Sequence, residues 1–207
     1  MLIGEVGNFF SDTEKITYLS NRTFLDFDFL IIDFGFLIGG LQSNQIYGIG
    51  VKNQLINRKE KLSEFISHKK VPIMCWVPLP ISLQFEHGGT SQKYELDFFV
   101  PFLDFSVAAE TGNKMTILSK NSFSEFVVKY RNNFSYNSLF TKHTGKIIAE
   151  TPHTKKVISF YNSNVFFLPK IKKFANPTDE KEFLQEITTI LSKLDVSDRE
   201  ELPKWAI

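Results

Sequence analysis

The sequence predicts a single α/β domain: a mainly parallel sheet flanked by helices, with antiparallel strands added in the C-terminal half. Three observations carry that expectation. Phe29-Leu30-Ile31-Ile32 and the run at 71–77 are short and continuously apolar, as strands covered on both faces are. Between them lies an apolar stripe at helical spacing, which completes a strand–helix–strand crossover unit. Farther on, 146–150, 157–161 and 165–168 are apolar runs separated by turn residues, the pattern of a meander.

The elements follow in order. Residues 2–6 form a first short strand. Ser11-Asp12-Thr13-Glu14 has the spacing of a capping box and predicts a short helix. The strand at 27–34 is the strongest of all, and Gly35, Gly39, Gly40, Gly48 and Gly50 after it predict a long loop. Asn57 and Glu60 are spaced as an N-cap and its reciprocal partner, with Leu62, Phe65 and Ile66 forming the buried stripe behind them. This helix should end near His68-Lys69-Lys70, where positive charge suits a helix C-terminus.

Residues 78–105 lose all regularity. Pro78, Pro80, Gly88, Gly89 and Pro101 punctuate a stretch crowded with Phe98, Phe99, Phe102 and Phe105, so an irregular, lid-like insertion is expected. Residues 106–109 and 114–118 read as strands around Thr111-Gly112-Asn113. Ser122 and Glu125 open a short helix that runs through Val127, Val128 and Tyr130. The helix at 178–194 has the clearest amphipathic pattern, with Phe183, Leu184, Ile187, Ile190, Leu191 and Leu194 on one face. Residues 195–207, with Pro203 and Trp205, form a C-terminal tail.

Composition narrows the function. The chain has 207 residues, 24 Lys+Arg against 23 Asp+Glu, and 43% hydrophobic residues, which is enough for a sizeable core. A net charge of +1 gives no basic face, so a nucleic-acid partner is not expected. The 22 phenylalanines, and the scarcity of Arg against Lys, are those of an AT-rich genome. No apolar run is long enough to cross a membrane, and the N-terminus lacks the pattern of a signal peptide. With Cys75 the only cysteine, no intramolecular disulfide or multi-cysteine zinc site forms, and a reducing cytoplasm is the expected compartment.

Candidate chemistry is sparse. Neither G-x-G-x-x-G nor G-x-x-x-x-G-K-[ST] occurs, so no nucleotide cofactor is expected. The histidines are His68, His87, His143 and His153, none at the helical i, i+4 spacing of a metal site. Three of them, His87, His143 and His153, are open to a cluster formed only by folding, against a bland reading as solvated loop residues. Asp33 stands at the carboxyl end of a buried strand, where ligands bind in open α/β sheets. It is a weak candidate for a functional carboxylate, against the plainer reading of a loop-capping Asp that accepts backbone N–H bonds.

Phe27-Asp28-Phe29-Leu30-Ile31-Ile32-Asp33-Phe34-Gly35, the helix from Arg58 to Ile66 and Val71-Pro72-Ile73-Met74-Cys75 resemble the centre of class I glutamine-amidotransferase-like domains. The paired strands ending at 165–168 and the closing amphipathic helix resemble them too. That resemblance implies a flavodoxin-like sheet. In active members a nucleophilic Cys sits on a tight, Gly-flanked turn after this strand, and a His-x-Glu pair follows later. Here Cys75 precedes Trp76-Val77-Pro78, and His153 precedes Thr154-Lys155, so both catalytic motifs are missing. Cys75 then reads as a buried strand residue, and no catalytic residue is assigned beyond the weak candidates Asp33 and His87.

Two functions remain. The first is a non-catalytic interaction module, an accessory or sensor subunit of a larger prokaryotic assembly. It would contact a protein partner or a second copy through Phe98, Phe99, Phe102 and Trp205. The second is a small-molecule hydrolase or ligand-binding protein that uses the crevice near Asp33 and the glycine-rich loop.

Overall fold

The computed structural model describes residues 2–17, 23–33, 41, 45–69, 72–76, 82–99, 105–118, 122–162 and 164–193. Fourteen strands are seen among them: β1 (Ile3–Val6), β2 (Glu14–Ile16), β3 (Phe29–Ile32), β4 (Ile46–Gly48), β5 (Ile73–Trp76), β6 (Ser82–His87), β7 (Thr90–Glu95), β8 (Ser106–Gly112), β9 (Thr116–Ile117), β10 (Phe134–Lys142), β11 (Lys146–Glu150), β12 (Val157–Asn162), β13 (Val165–Leu168) and β14 (Lys170–Ile171). The helices are α1 (Ile49–Lys69), α2 (Ser122–Lys129) and α3 (Pro177–Lys193), with a 3₁₀ turn at Leu96–Phe99.

The larger sheet has 11 strands. Its main path runs β14-β10-β12-β13-β5-β3-β1-β2, with β8, β9 and β11 paired off that path. Strands β2, β1, β3, β5 and β13 are mutually parallel; β12 turns antiparallel to β13, and everything beyond it is antiparallel. A separate three-stranded sheet is ordered β4-β6-β7.

This corrects the expected fold class. The chain does not build a mainly parallel, flavodoxin-like sheet flanked by helices. The described residues form fourteen strands against three helices, and the large sheet is mixed. The physical reason lies in the connections. Parallel strands usually join through a crossover of a dozen or more residues, yet β1 reaches β2 through residues 7–13 alone. Continuous apolar runs such as 165–168 report burial on both faces, and a mixed sheet covered on both sides produces the same runs.

Alternation of side chains divides two cores across that sheet. Leu30, Ile32, Ile73, Cys75, Val165 and Phe167 face one side, where Leu55, Leu62, Phe65 and Ile66 of α1 and Leu83 and Phe85 of the small sheet meet them. Phe29, Ile31, Met74, Trp76, Phe166 and Leu168 face the other, against Phe123, Phe126 and Val127 of α2 and Phe183, Leu184 and Ile187 of α3. Gly4 admits Phe27 tightly into the first core: a Cβ there would lie 2.7 Å from Phe27 Cγ.

Several local expectations change. Ser11–Glu14 opens no helix; Thr13 Oγ1 and the backbone N–H groups of Phe9 and Phe10 turn instead to Glu5, and the chain continues into β2. Asn57 is no cap, because α1 already begins at Ile49 directly after β4. The apolar stripe extends back through Leu55 and carries Arg58, 2% exposed, over the Phe24 ring at 3.9 Å.

Residues 82–99 are regular rather than irregular. Gly88 and Gly89 both take positive φ (59° and 78°), closing a two-residue hairpin in which His87 pairs with Thr90. The nine-residue strand β10 has no counterpart in the sequence reading, and it is the partner of β8. The strands around Thr111-Gly112-Asn113 exist but do not pair with each other; β8 joins β10 and β9 joins β11. The meander of β11, β12 and β13 forms as expected. Of the α3 stripe, Leu194 and the side chain of Leu191 lie outside the described residues, as do Phe102 and the tail with Trp205.

Candidate functional site

Because β1, β3, β5 and β13 are parallel, their carboxyl ends lie on one edge of the sheet. Asp33 follows β3 there, and its N–H donates to the Val6 carbonyl at 2.9 Å. Lys170 follows β13 and donates from Nζ to Asp33 Oδ2 at 2.8 Å. In strand order β5 stands between β3 and β13, so the ion pair spans the end of β5, where Trp76 closes that strand. The Asp33 side chain is 15% exposed and that of Lys170 is 53%.

Trp76 is buried, stacked on Phe10 and edge-on to Phe9, and its Nε1 has no hydrogen-bond partner among the described residues. Asp33 therefore does what a strand-tying carboxylate does, while leaving a half-exposed ammonium at the sheet edge. Asp28 does not share this place. Asp28 Oδ2 accepts the Leu2 N–H at the opposite end of β3.

The other chemical candidates are scattered. Cys75 is buried on β5, and burial pushes its thiol well above the ordinary cysteine range, so it lacks the thiolate a nucleophile needs. His87 is exposed at the β6–β7 hairpin, where its carbonyl accepts the Thr90 hydroxyl at 2.8 Å. That places it on the small sheet, whereas Asp33 sits on the large one. The His143 ring lies tilted over Phe160 at 5.2 Å, and His153 is exposed in a turn. Among the described residues no group of three His, Cys, Asp or Glu could hold a metal ion.

Sequence reasoning passed over Glu5, which is fully buried in β1. It accepts from Phe9 N at 2.6 Å, Phe10 N at 3.2 Å, Thr13 Oγ1 at 2.6 Å and Lys15 Nζ at 2.5 Å. A lone Glu inside an apolar run was the available signal. Both its oxygens accept from within the fold, so it shapes the 7–13 connection.

The aromatic stretch separates into two roles. Phe99 is fully buried against Phe85 at 5.6 Å, so it is core and not a contact residue. Phe98, the next residue, is 42% exposed. Its ring lies 4.8 Å from that of Tyr94, tilted 46°. Two lysines of α1 line up with these rings. Lys52 Nζ stands 4.0 Å from the Tyr94 centroid and donates to its hydroxyl. Lys59 Nζ lies 5.0 Å from the Phe98 centroid and donates to its carbonyl at 2.7 Å.

A groove of about 540 Å³ separates α2 from α3. Lys129 crosses it to Glu182 at 3.1 Å and Glu186 at 2.5 Å, and the two carboxylates raise its pKa. Tyr130 donates to Glu186 at 3.0 Å; burial first, then that carboxylate, pushes its phenol up to about 12. One ammonium held by two carboxylates ties the two helices together as a latch.

A comparison with protein-family models and with curated proteins finds no match to the chain. Among the described residues no helix is long and apolar enough to cross a membrane.

Proposed function

We propose that the protein is a non-catalytic interaction module, an accessory or sensor subunit of a larger assembly, which docks a protein partner on the surface around Phe98. One observation carries the reading: Phe98 is exposed while its neighbours Phe99 and Tyr94 anchor it to a packed platform. A rigid, partly exposed aromatic is the kind of residue that dominates interface energetics. The one thiol, Cys75, is buried in β5, and the weak catalytic candidates Asp33 and His87 lie on different sheets, which supports a role without catalysis.

The test is sedimentation of the purified protein with the partner that co-purifies from native lysate. Phe98→Ala should weaken the complex by about 2 kcal/mol or more, as truncation of a central aromatic does. A complex that survives Phe98→Ala at full strength counts against the proposal.

A second reading, a small-molecule binder, has the Asp33–Lys170 pair at the sheet edge in its favour. It requires that a ligand raise the melting temperature of the protein but not that of Lys170→Met.

A further inference from the structure

We propose that β8 is a self-association edge: Ser106–Ala109 pairs antiparallel with the same segment of a second copy of this chain, continuing the large sheet across a two-fold axis. The contact uses no residue of the Phe98 surface.

A strand at the edge of a sheet presents a row of backbone N–H and C=O groups that another strand can satisfy. Proteins blunt such edges by keeping them short, charging them with lysine, placing proline in them or covering them. Among the described residues, the other strands that pair on one side only follow this rule. β2 has three residues and carries Lys15, β14 has two and carries Lys170, β9 has two and β4 has three. β7 has six residues, but Lys93 stands within its row.

β8 is the exception. It has seven residues, pairs with β10 alone and contains neither lysine nor proline. Nothing covers it at its centre: Ala108 and Ala109 are both exposed, and neighbouring side chains of a strand point to opposite faces, so both faces are open there. Its pairing with β10 runs unbroken from Val107 to Ala109 and shifts between Ala109 and Gly112. That shift confines the regular outer edge to Ser106–Ala109. In an antiparallel strand every second residue turns its N–H and C=O to the same side, so about two residues of this segment face outward with both groups.

The occupant follows from charge, size and closure. Ser106, Val107, Ala108 and Ala109 are small and uncharged, so nothing along the edge selects a foreign sequence. The first charge beyond them, Glu110, is held by Lys156 of its own chain at 2.6 Å. Turned antiparallel on itself, the segment sets Ser106 opposite Ala109 and Val107 opposite Ala108. No like charges meet, and no long side chain holds the two backbones apart. The two-fold also closes the contact, because each copy fills the other's edge and leaves none for a third. So short a segment buries far less area than a permanent interface does, and the dimer therefore depends on concentration.

The experiment uses the full chain from low to high micromolar concentration. Sedimentation equilibrium should show a monomer passing to a dimer, with no larger species. Over the same range, hydrogen exchange should slow in a peptide spanning 106–109 and stay unchanged in one spanning 90–95. Ala108→Lys with Ala109→Lys brings cations together across the axis and should weaken association about tenfold or more. Ala108→Thr with Ala109→Thr, uncharged and β-branched, should retain it, as should Phe98→Ala. Melting temperatures of dilute protein should agree between wild type and both double variants, because the two alanines are exposed. A monomer at every concentration overturns the proposal, as does assembly beyond a dimer. So does a dimer whose 106–109 amides exchange as fast as the monomer's, one indifferent to the lysine pair, or one that Phe98→Ala abolishes.

Discussion

Glu5 on β1 and Lys15 on β2 are register partners in neighbouring parallel strands, and their side chains meet at 2.5 Å. The carboxylate is fully buried, whereas the Lys15 side chain keeps 37% of its exposure. The same carboxylate holds the N–H groups of Phe9 and Phe10, so it replaces the helix that a longer crossover would have supplied. Glu5→Ala should cost about 3 kcal/mol, because it strands buried donors along with a cation. Lys15→Met should cost less than that, because the carboxylate it leaves behind keeps the Phe9 and Phe10 N–H groups and the Thr13 hydroxyl as donors. Urea midpoints of the two variants measure the asymmetry, and equal losses would remove Glu5 from this role.

The helix α3 packs through Phe183, Leu184 and Ile187, while Lys181 is exposed. Ile187→Ala should lower stability by about 2–5 kcal/mol, the usual cost of emptying a buried aliphatic site. Lys181→Ala should change it by less than about 0.5 kcal/mol. Thermal unfolding of both variants is the measurement, and similar shifts would place the wrong face of α3 on the sheet.

Cys75 points into the core shared with α1, with its thiol held protonated by burial. A disulfide-exchange reagent should leave the native protein unlabelled and modify it fully in denaturant. Labelling of the native protein at the rate of a free thiol would mean that β5 is not where the packing puts it.

Tyr130 makes stability depend on pH in the alkaline range. Its folded pKa, pushed up to about 12, exceeds the ordinary value of 10.0. Between these values the folded state binds more protons than the unfolded chain, so stability is intact below pH 10 and declines as pH rises toward 12. Lys129, with its raised pKa, acts in the same direction. Tyr130→Phe should therefore flatten the decline without abolishing it. Denaturation midpoints across that range, wild type against variant, provide the check; identical slopes would exclude the phenol as their source.

Much of the secondary structure was legible because it follows from local periodicity. The runs around β3, β5 and β13 and the stripe of α3 each report burial within a few residues of sequence, and the structure places them as strands and a helix. The β6–β7 hairpin was also written locally, in the Gly88-Gly89 pair and the Leu83/Phe85 alternation, although the prolines around it drew attention away. What tertiary structure alone decided is pairing. Strand direction, the joining of β8 to β10, the conversion of a capping-box sequence into β2 by Glu5, and the meeting of Asp33 with Lys170 depend on partners distant in the chain. The same holds at the candidate contact surface. Phe98 and Phe99 are identical neighbours in sequence, and only the placement of α1 beneath the small sheet buries one and leaves the other at the surface. A side chain's own sequence window encodes how much it gains by burial, and the fold determines what is there to bury it.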